Sequence, residues 1–480
     1  MTTTGAPLRG RERIFLLLLL GAVLVSGVPR IHDPAFWDET KVYFRPLFQL
    51  FEGISVWHQA PATPFDRPPG LHVFYLPFLW VLGPKLELIR GLNLGYFASG
   101  LLFLYLALRR VSALLAGVTV GLVLLAPIFR VYLIQYAGEP QLLSLYALWL
   151  FLLGRYPQAR WRFFFLGILL GLTRETSLAL IPATLLFWRL SGVKLGRREL
   201  LSQTGLLLGC FFWWGYLTLK AGSPFHHITL QREDLDLLAG PVARGMKLWR
   251  AYLMPYRILP LFILPFLAVK HWRVHRLSPE AGFSLVLVLS YLFVLSGHRL
   301  AIPRYFLAIV PFTYFFLLTW LRPLLSGQPM TSVVLILVLG PQLLLGDPAR
   351  EPQDSVEYGE ILRLHQRVIR EVKEKCPTGG VVMTSWPFVE ILRSGYVGYG
   401  PRVDYQLVYQ PQDGVLPDII LWTNFPRQIP DVTLWETVKK GDYQRQDFTF
   451  RNYRLMLFKK DSVCHGGRVT HEDLPMGFPE

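Results

Sequence analysis

The sequence predicts an all-α multi-pass membrane protein that carries a small C-terminal soluble α/β domain. Three observations predict it. Hydrophobic residues make up 52% of the 480 positions and charged residues 17%, where an average soluble protein carries about 25% charged. Long runs such as "IFLLLLLGAVLVSGV" (14–28) and "SLVLVLSYLFVLSG" (284–297) contain no charge, as a membrane span requires. After about residue 350 the pattern changes to amphipathic and short β-type segments.

The first apolar run follows Arg9, Arg11 and Arg13. No small-x-small cleavage site follows it, so it reads as a retained signal anchor. Further candidate spans are 90–108, 112–128, 140–154, 161–174, 177–190, 200–219, 256–270, 281–297, 301–320 and 330–346, giving eleven with 13–29. "LHVFYLPFLWVLG" (71–83) is short, contains Pro77 and is aromatic-rich, so it reads as a helix lying along the membrane surface. That choice leaves the basic loops "RR" (109–110), "GRYPQARWR" (154–162), "RLSGVKLGRRE" (189–199) and "KHWRVHR" (270–276) on the cytoplasmic side, as the positive-inside rule asks. The net charge of +16 is then topological, and no nucleic-acid partner is implied. The expected location is the plasma (inner) membrane, with the C-terminal domain on the outer face.

Domain limits follow: a membrane domain over 1–346, a soluble α/β domain over 351–462 and a flexible tail over 463–480. "EYGEILRLHQRVIREVKEK" (357–375) has helical periodicity, whereas "GGVVMTSW" (379–386), "PDIILWTNF" (417–425) and "FRNYRLMLFKK" (450–460) read as strands. The three cysteines, Cys210, Cys376 and Cys464, lack metal-ligand spacing. Cys376 and Cys464 can pair if their region lies outside the cytosol.

Charged groups collect where the chain leaves the bilayer on the outer side. Asp38 and Glu39 follow the first span, in "HDPAFWDETKVYF". Asp38 reads either as a helix N-cap or as a carboxylate for chemistry. "ATPFDRPPGLHVF" (62–74) is a rigid turn presenting Asp66 and Arg67, and an arginine fork suits a phosphate. Glu139 opens a span beside Pro140, where the helix dipole alone favours it. Arg174 and Glu175 sit at a corner, where they can pair with each other. His298, Arg299 and Arg304 lie at another outer helix end, and His226 and His227 in the loop 220–255. Outer positive charge opposes the positive-inside rule and asks for an anion, either a lipid headgroup or a substrate phosphate. Carboxylates and arginines at membrane level suit a reaction on a lipid-anchored phosphate: the former deprotonate a hydroxyl, the latter stabilise the leaving phosphate.

The order of these features resembles the GT-C class of membrane glycosyltransferases, which includes the protein O-mannosyltransferases and the aminoarabinose transferases of lipid A. More narrowly, "WDE" (37–39), "EG" (52–53), "PGL" (69–71), "IRGLN" (89–93), "YAGE" (136–139), "RETS" (174–177) and "AGSPFHH" (221–227) are similar, in order, to motifs of the dolichyl-phosphate-glucose-dependent alpha-1,2-glucosyltransferases. The resemblance implies inverting transfer of a hexose from a polyprenyl-phosphate carrier to a lipid-linked or cell-envelope (lipid or glycan) acceptor, beside membrane lipids. It implies Asp38 as base and Glu39 as its orienting or acceptor-binding partner. Arg67, Arg299 and Arg304 would meet the donor phosphate, with Asp66, Glu139, Arg174, His226 and His227 binding substrate. No metal ligand is assigned, and dependence on a divalent metal stays open because members of the class differ. The chain departs from the narrower family after residue 40, around "AIPRYF" (301–306) and in its soluble tail. Two rivals are a transporter or flippase of a lipid-linked saccharide, which needs charged or broken helices at mid-membrane, and a non-catalytic envelope scaffold. Retained activity after deletion of 351–480 would argue against the scaffold.

Overall fold

The structure, a computed structural model, describes residues 10–35, 39–52, 68–222, 252, 277–296, 303–321, 358–385, 387–393, 397–400, 402–408, 416–423, 431–450 and 453–460. They form two compact units. The first comprises residues 1–31 and 42–356, and the second residues 32–41 and 357–480.

The first unit is helical. Helix α1 (Gly10–Gly27) continues as a 3-10 turn, Val28–Arg30. A π-helical turn, Glu39–Phe44, runs into α2 (Arg45–Phe51). The segment read as a surface helix forms two short ones, α3 (Gly70–Val73) and α4 (Leu76–Leu82). Even end to end they reach only about 20 Å, too short to cross a hydrocarbon core of about 30 Å. Next come α5 (Leu86–Leu108), α6 (Ala113–Leu125), α7 (Pro127–Tyr132), α8 (Gly138–Arg155) and α9 (Arg160–Thr173). Beyond a 3-10 turn, Glu175–Ala179, lie α10 (Leu180–Leu190) and α11 (Arg197–Ala221). After α12 (Pro279–Ser296), a 3-10 turn, Pro303–Phe306, leads to α13 (Val310–Leu321).

Three described stretches are long and apolar enough to span a membrane: Gly10–Arg30, Leu86–Leu108 and Arg197–Lys220. The expected span 112–128 breaks at Ala126, which is extended (φ −65°, ψ 123°) before Pro127. The proline ring excludes the helical conformation from the residue ahead of it. The expected spans 256–270 and 330–346 lie outside the described residues.

Two glycine pairs set the closest helix contact. Gly167 and Gly171 on α9 face Gly205 and Gly209 on α11, both with GxxxG spacing. A methyl added at Gly205 would lie 2.0 Å from the Phe164 carbonyl oxygen, and one at Gly209 2.3 Å from that of Ile168. The backbones therefore touch, as small-residue seams allow. At the other end of the unit, Arg109 donates to Glu12 (3.1 Å), pinning α1 to α5.

In the second unit, α14 (Tyr358–Lys375) is strongly amphipathic and buries Ile361, Leu362, His365, Val368, Ile369 and Val372. These fall at the i, i+3, i+4 spacing of one helix face. Five strands follow: β1 (Gly380–Met383), β2 (Tyr405–Val408), β3 (Ile419–Thr423), β4 (Tyr443–Phe450) and β5 (Tyr453–Lys460). Helix α15 (Phe388–Arg393) links β1 to β2, and α16 (Asp431–Lys440) lies between β3 and β4. The sheet order is β2-β1-β3-β5-β4. Strands β2 and β3 flank β1 in parallel, while β5 runs antiparallel to both β3 and β4. Gly379, at φ +104°, lets the chain enter β1 where a side chain would strike the Asp404 carbonyl oxygen. Met383, Ile420, Trp422, Leu434, Met456 and Phe458 centre the core. Residues 32–41, which the sequence reading placed in the long outer loop, belong to this unit; the Ala35 N–H bonds the Val397 carbonyl at 2.9 Å.

Candidate functional site

The first unit concentrates buried polar groups around the N-terminus of α8. Between α7 and α8 the chain is irregular from Leu133 to Ala137; the Gln135 carbonyl accepts from the Ala137 N–H at 2.9 Å, and side chains supply further donors. Asn93 and Arg90 supply them from α5. The Asn93 amide nitrogen donates to the carbonyls of Tyr132 (3.2 Å), Leu133 (3.2 Å) and Gln135 (2.7 Å). Arg90 donates to that of Ile134 (3.0 Å).

Tyr136 follows, fully buried, with its hydroxyl 2.6 Å from Nδ1 of His72. Its ring packs on Tyr75 (4.5 Å between centroids), Phe44 (5.4 Å) and Tyr43 (5.7 Å). Three residues later, in the first turn of α8, Glu139 is completely buried. Pro140 suits that turn because its missing N–H has no intrahelical partner to lose.

Arg174 reaches Glu139 from the end of α9. It caps that helix in an extended conformation (φ −164°, ψ 135°), and its Nη1 donates to Glu139 Oε1 at 2.6 Å. The pairing of Arg174 with Glu175 allowed by the sequence does not form. Glu175 instead accepts from the Trp213 indole N–H at 2.9 Å, because the chain turns into its 3-10 segment there and sends the two side chains apart.

Tyr305 completes the cluster. The guanidinium of Arg174 lies 5.0 Å from its ring centroid and that of Arg304 lies 5.5 Å away. The Tyr305 carbonyl is held by the Tyr291 hydroxyl at 2.9 Å. Arg304 is only 5% exposed. Two guanidiniums thus lie at one aromatic ring. The second oxygen of Glu139 is buried without a hydrogen-bond partner among the described residues.

Of the residues singled out in the sequence, Glu139, Arg174 and Arg304 thus come together. Glu39 belongs to the second unit, where it is buried at the start of the π-helical turn. Asp38, Asp66, Arg67, His226, His227, His298 and Arg299 lie outside the described residues. Sequence reasoning assigned no role to Tyr136, His72 or Tyr305, and it met Arg90 and Asn93 only as letters of "IRGLN". A signal was there: a polar i, i+3 pair inside an apolar span is costly unless it has partners. Among the described residues, no group of three His, Cys, Asp or Glu side chains is placed to hold a metal ion.

No protein-family model matches the chain, and no curated protein matches it. Among solved structures, ArnT from Cupriavidus metallidurans bound to undecaprenyl phosphate aligns over 95% of this chain and 99% of its own length, with a TM-score of 0.59 and 14% identity. ArnT of the same organism in the apo state aligns over 93% and 98%, with a TM-score of 0.52 and 14% identity. At that identity the likeness is one of fold, and this chain has an ArnT-like fold.

Proposed function

We propose that the chain is a membrane glycosyltransferase of the GT-C class that takes a hexose from a polyprenyl-phosphate carrier. The observation that carries this reading is the Glu139–Arg174–Tyr305–Arg304 cluster within an ArnT-like fold. One ArnT structure holds undecaprenyl phosphate. Paired guanidiniums suit the carrier phosphate, since arginine forks match phosphate oxygens. The open Glu139 oxygen suits a sugar or acceptor hydroxyl as donor.

The transfer is written as a single displacement. A carboxylate takes the proton of an acceptor hydroxyl, whose oxygen attacks the anomeric carbon. The bond from that carbon to the phosphate oxygen breaks, and polyprenyl phosphate leaves with the electron pair. Arg174 and Arg304 neutralise the charge gained by the leaving phosphate. Asp38 is assigned the base and Glu39 its orientation, from the motif order after the first helix. Arg67 and Arg299 are assigned to the donor phosphate, and Asp66, His226 and His227 to substrate. The acceptor is assigned as lipid-linked or part of the cell envelope.

The eleven-span topology, with 1–346 in the membrane and 351–462 outside the cytosol, is part of the same proposal. The outer location of the soluble domain is supported by Cys376, which is disulfide-bonded while Cys210 is free. Cys464, the remaining cysteine, is the partner proposed for it, and such bonds persist in oxidising compartments.

The test uses the full chain in lipid nanodiscs with undecaprenyl-phosphate hexoses, following release of undecaprenyl phosphate. Asp38→Asn is expected to lower turnover by about 10²–10⁴-fold at unchanged melting temperature. Unchanged turnover in Asp38→Asn removes that residue from its role, and absence of any turnover or lipid-phosphate binding in the unaltered protein overturns the reading.

A further inference from the structure

We infer that Arg90 and Asn93 are positioning residues, which hold the backbone of Tyr132–Gln135 so that Tyr136 and Glu139 are set for substrate. The inference rests on the reading of Glu139 and Arg174 as a substrate site and assigns that site its support. The two residues are three apart on α5 and so share a face. They meet four successive carbonyls, those of Tyr132, Leu133, Ile134 and Gln135. The Tyr132 carbonyl ends α7 and has no intrahelical donor, and the next three belong to the irregular segment that follows. Side-chain N–H groups supply donors there, joined at Gln135 by the Ala137 backbone N–H.

The orientation of the Asn93 amide is fixed from both sides. Its nitrogen faces three carbonyls, and its oxygen accepts from the Tyr75 hydroxyl at 3.3 Å. An aspartate of nearly the same shape would turn carboxylate oxygens toward those carbonyls and reverse the interaction. The Tyr75 ring packs on Tyr136, so one side chain both orients the amide and braces the residue that follows the held segment. From Gln135 the chain needs only four residues to reach Glu139, through Tyr136 bonded to His72. Displacement of the held carbonyls is thereby transmitted to Glu139, and through its bond to Arg174.

A cap that merely stabilises the fold would weaken binding independently of Glu139, whereas a positioning pair acts through it. The test is a double-mutant cycle on the full chain in nanodiscs, with undecaprenyl phosphate as the probe. Asn93→Asp is expected to weaken its binding about tenfold, and less than twofold further when Glu139→Gln is already present. Hydrogen exchange over residues 133–141 is expected to quicken at least tenfold in Asn93→Asp, with α13 unchanged. Tyr75→Phe keeps the ring and removes only the hydroxyl, so it serves if Asn93→Asp does not fold. It is expected to give a two- to threefold loss of binding and the same local exchange pattern.

Equal losses with and without Glu139→Gln overturn the inference, as does unchanged exchange over 133–141 in both variants. If the unaltered protein does not bind undecaprenyl phosphate, the proposed function fails instead. The exchange result then decides the inference by itself, with unchanged exchange overturning it.

Discussion

The two units differ in where their strongest described ion pairs lie. The first buries charge: Glu139 against Arg174, Arg304 at Tyr305, and Arg90 against a backbone carbonyl. The second buries Glu39 but keeps its described ion pairs at or near the surface, as in Arg402–Asp404 and the fork of Arg445 and Arg454 on Asp447. Its core is apolar apart from groups such as His365, stacked between Phe388 and Tyr453. Burying an ion pair costs desolvation that an apolar core avoids. The first unit accepts that cost at Glu139 and Arg174.

The sharpest way to break this contrast is to remove one buried partner. Glu139→Ala leaves Arg174 without its carboxylate and is expected to destabilise the first unit by about 3–5 kcal/mol, read as a lowered unfolding midpoint of the full chain in detergent. A shift no larger than that of an exposed carboxylate would end the claim that the pair is buried and strong. Next comes the glycine seam between α9 and α11. Gly209→Val drives a side chain into the α9 backbone and is expected to cost about 1–3 kcal/mol by the same measurement. A neutral result would mean that the helices can separate without consequence.

Part of this arrangement was legible in the sequence. Uncharged runs announced the helices, because a long apolar run has few other uses. The amphipathic helix and three of the strands in the second unit were readable from periodicity. Strands β2 and β4 were not: "YQLV" is too short to show alternation, and "YQRQDFTF" is polar because β4 lies at the sheet edge. Glu139, Arg174 and Arg304 were legible one at a time as charges at helix ends. Their meeting was not, since it joins positions 35 and more residues apart through a helix contact. The GxxxG spacing at 167/171 and 205/209 pointed only to the separate contact of α9 with α11.

The second unit gives the next test. Burial holds the pKa of His365 down at about 3 from an ordinary 6.5. Between those values the unfolded chain binds a proton that the folded unit refuses. Stability is therefore complete above pH 6.5 and falls as pH drops toward 3, by about 1.4 kcal/mol per pH unit. The urea midpoint for oxidation of buried Met383 and Met456 in the full chain should fall between pH 7 and pH 5. The fall should be smaller in His365→Phe, which keeps the stacked ring, and an identical slope in both proteins would assign the acid sensitivity elsewhere. The smallest effect belongs to the surface. Arg445 and Arg454 hold the Asp447 carboxyl below its usual range, yet Asp447→Asn is expected to change the same midpoint by less than about 1 kcal/mol. A loss matching that of Glu139→Ala would erase the distinction between the units.

The bond from Ala35 to Val397 changes what a truncation can mean. Residues just upstream of Asp38 are tethered to a strand-rich body whose own sequence begins more than three hundred positions later. Cutting that body away unties the acidic segment as surely as it removes an accessory domain. An inactive truncated protein would therefore report a lost anchor before it reported a lost ligand.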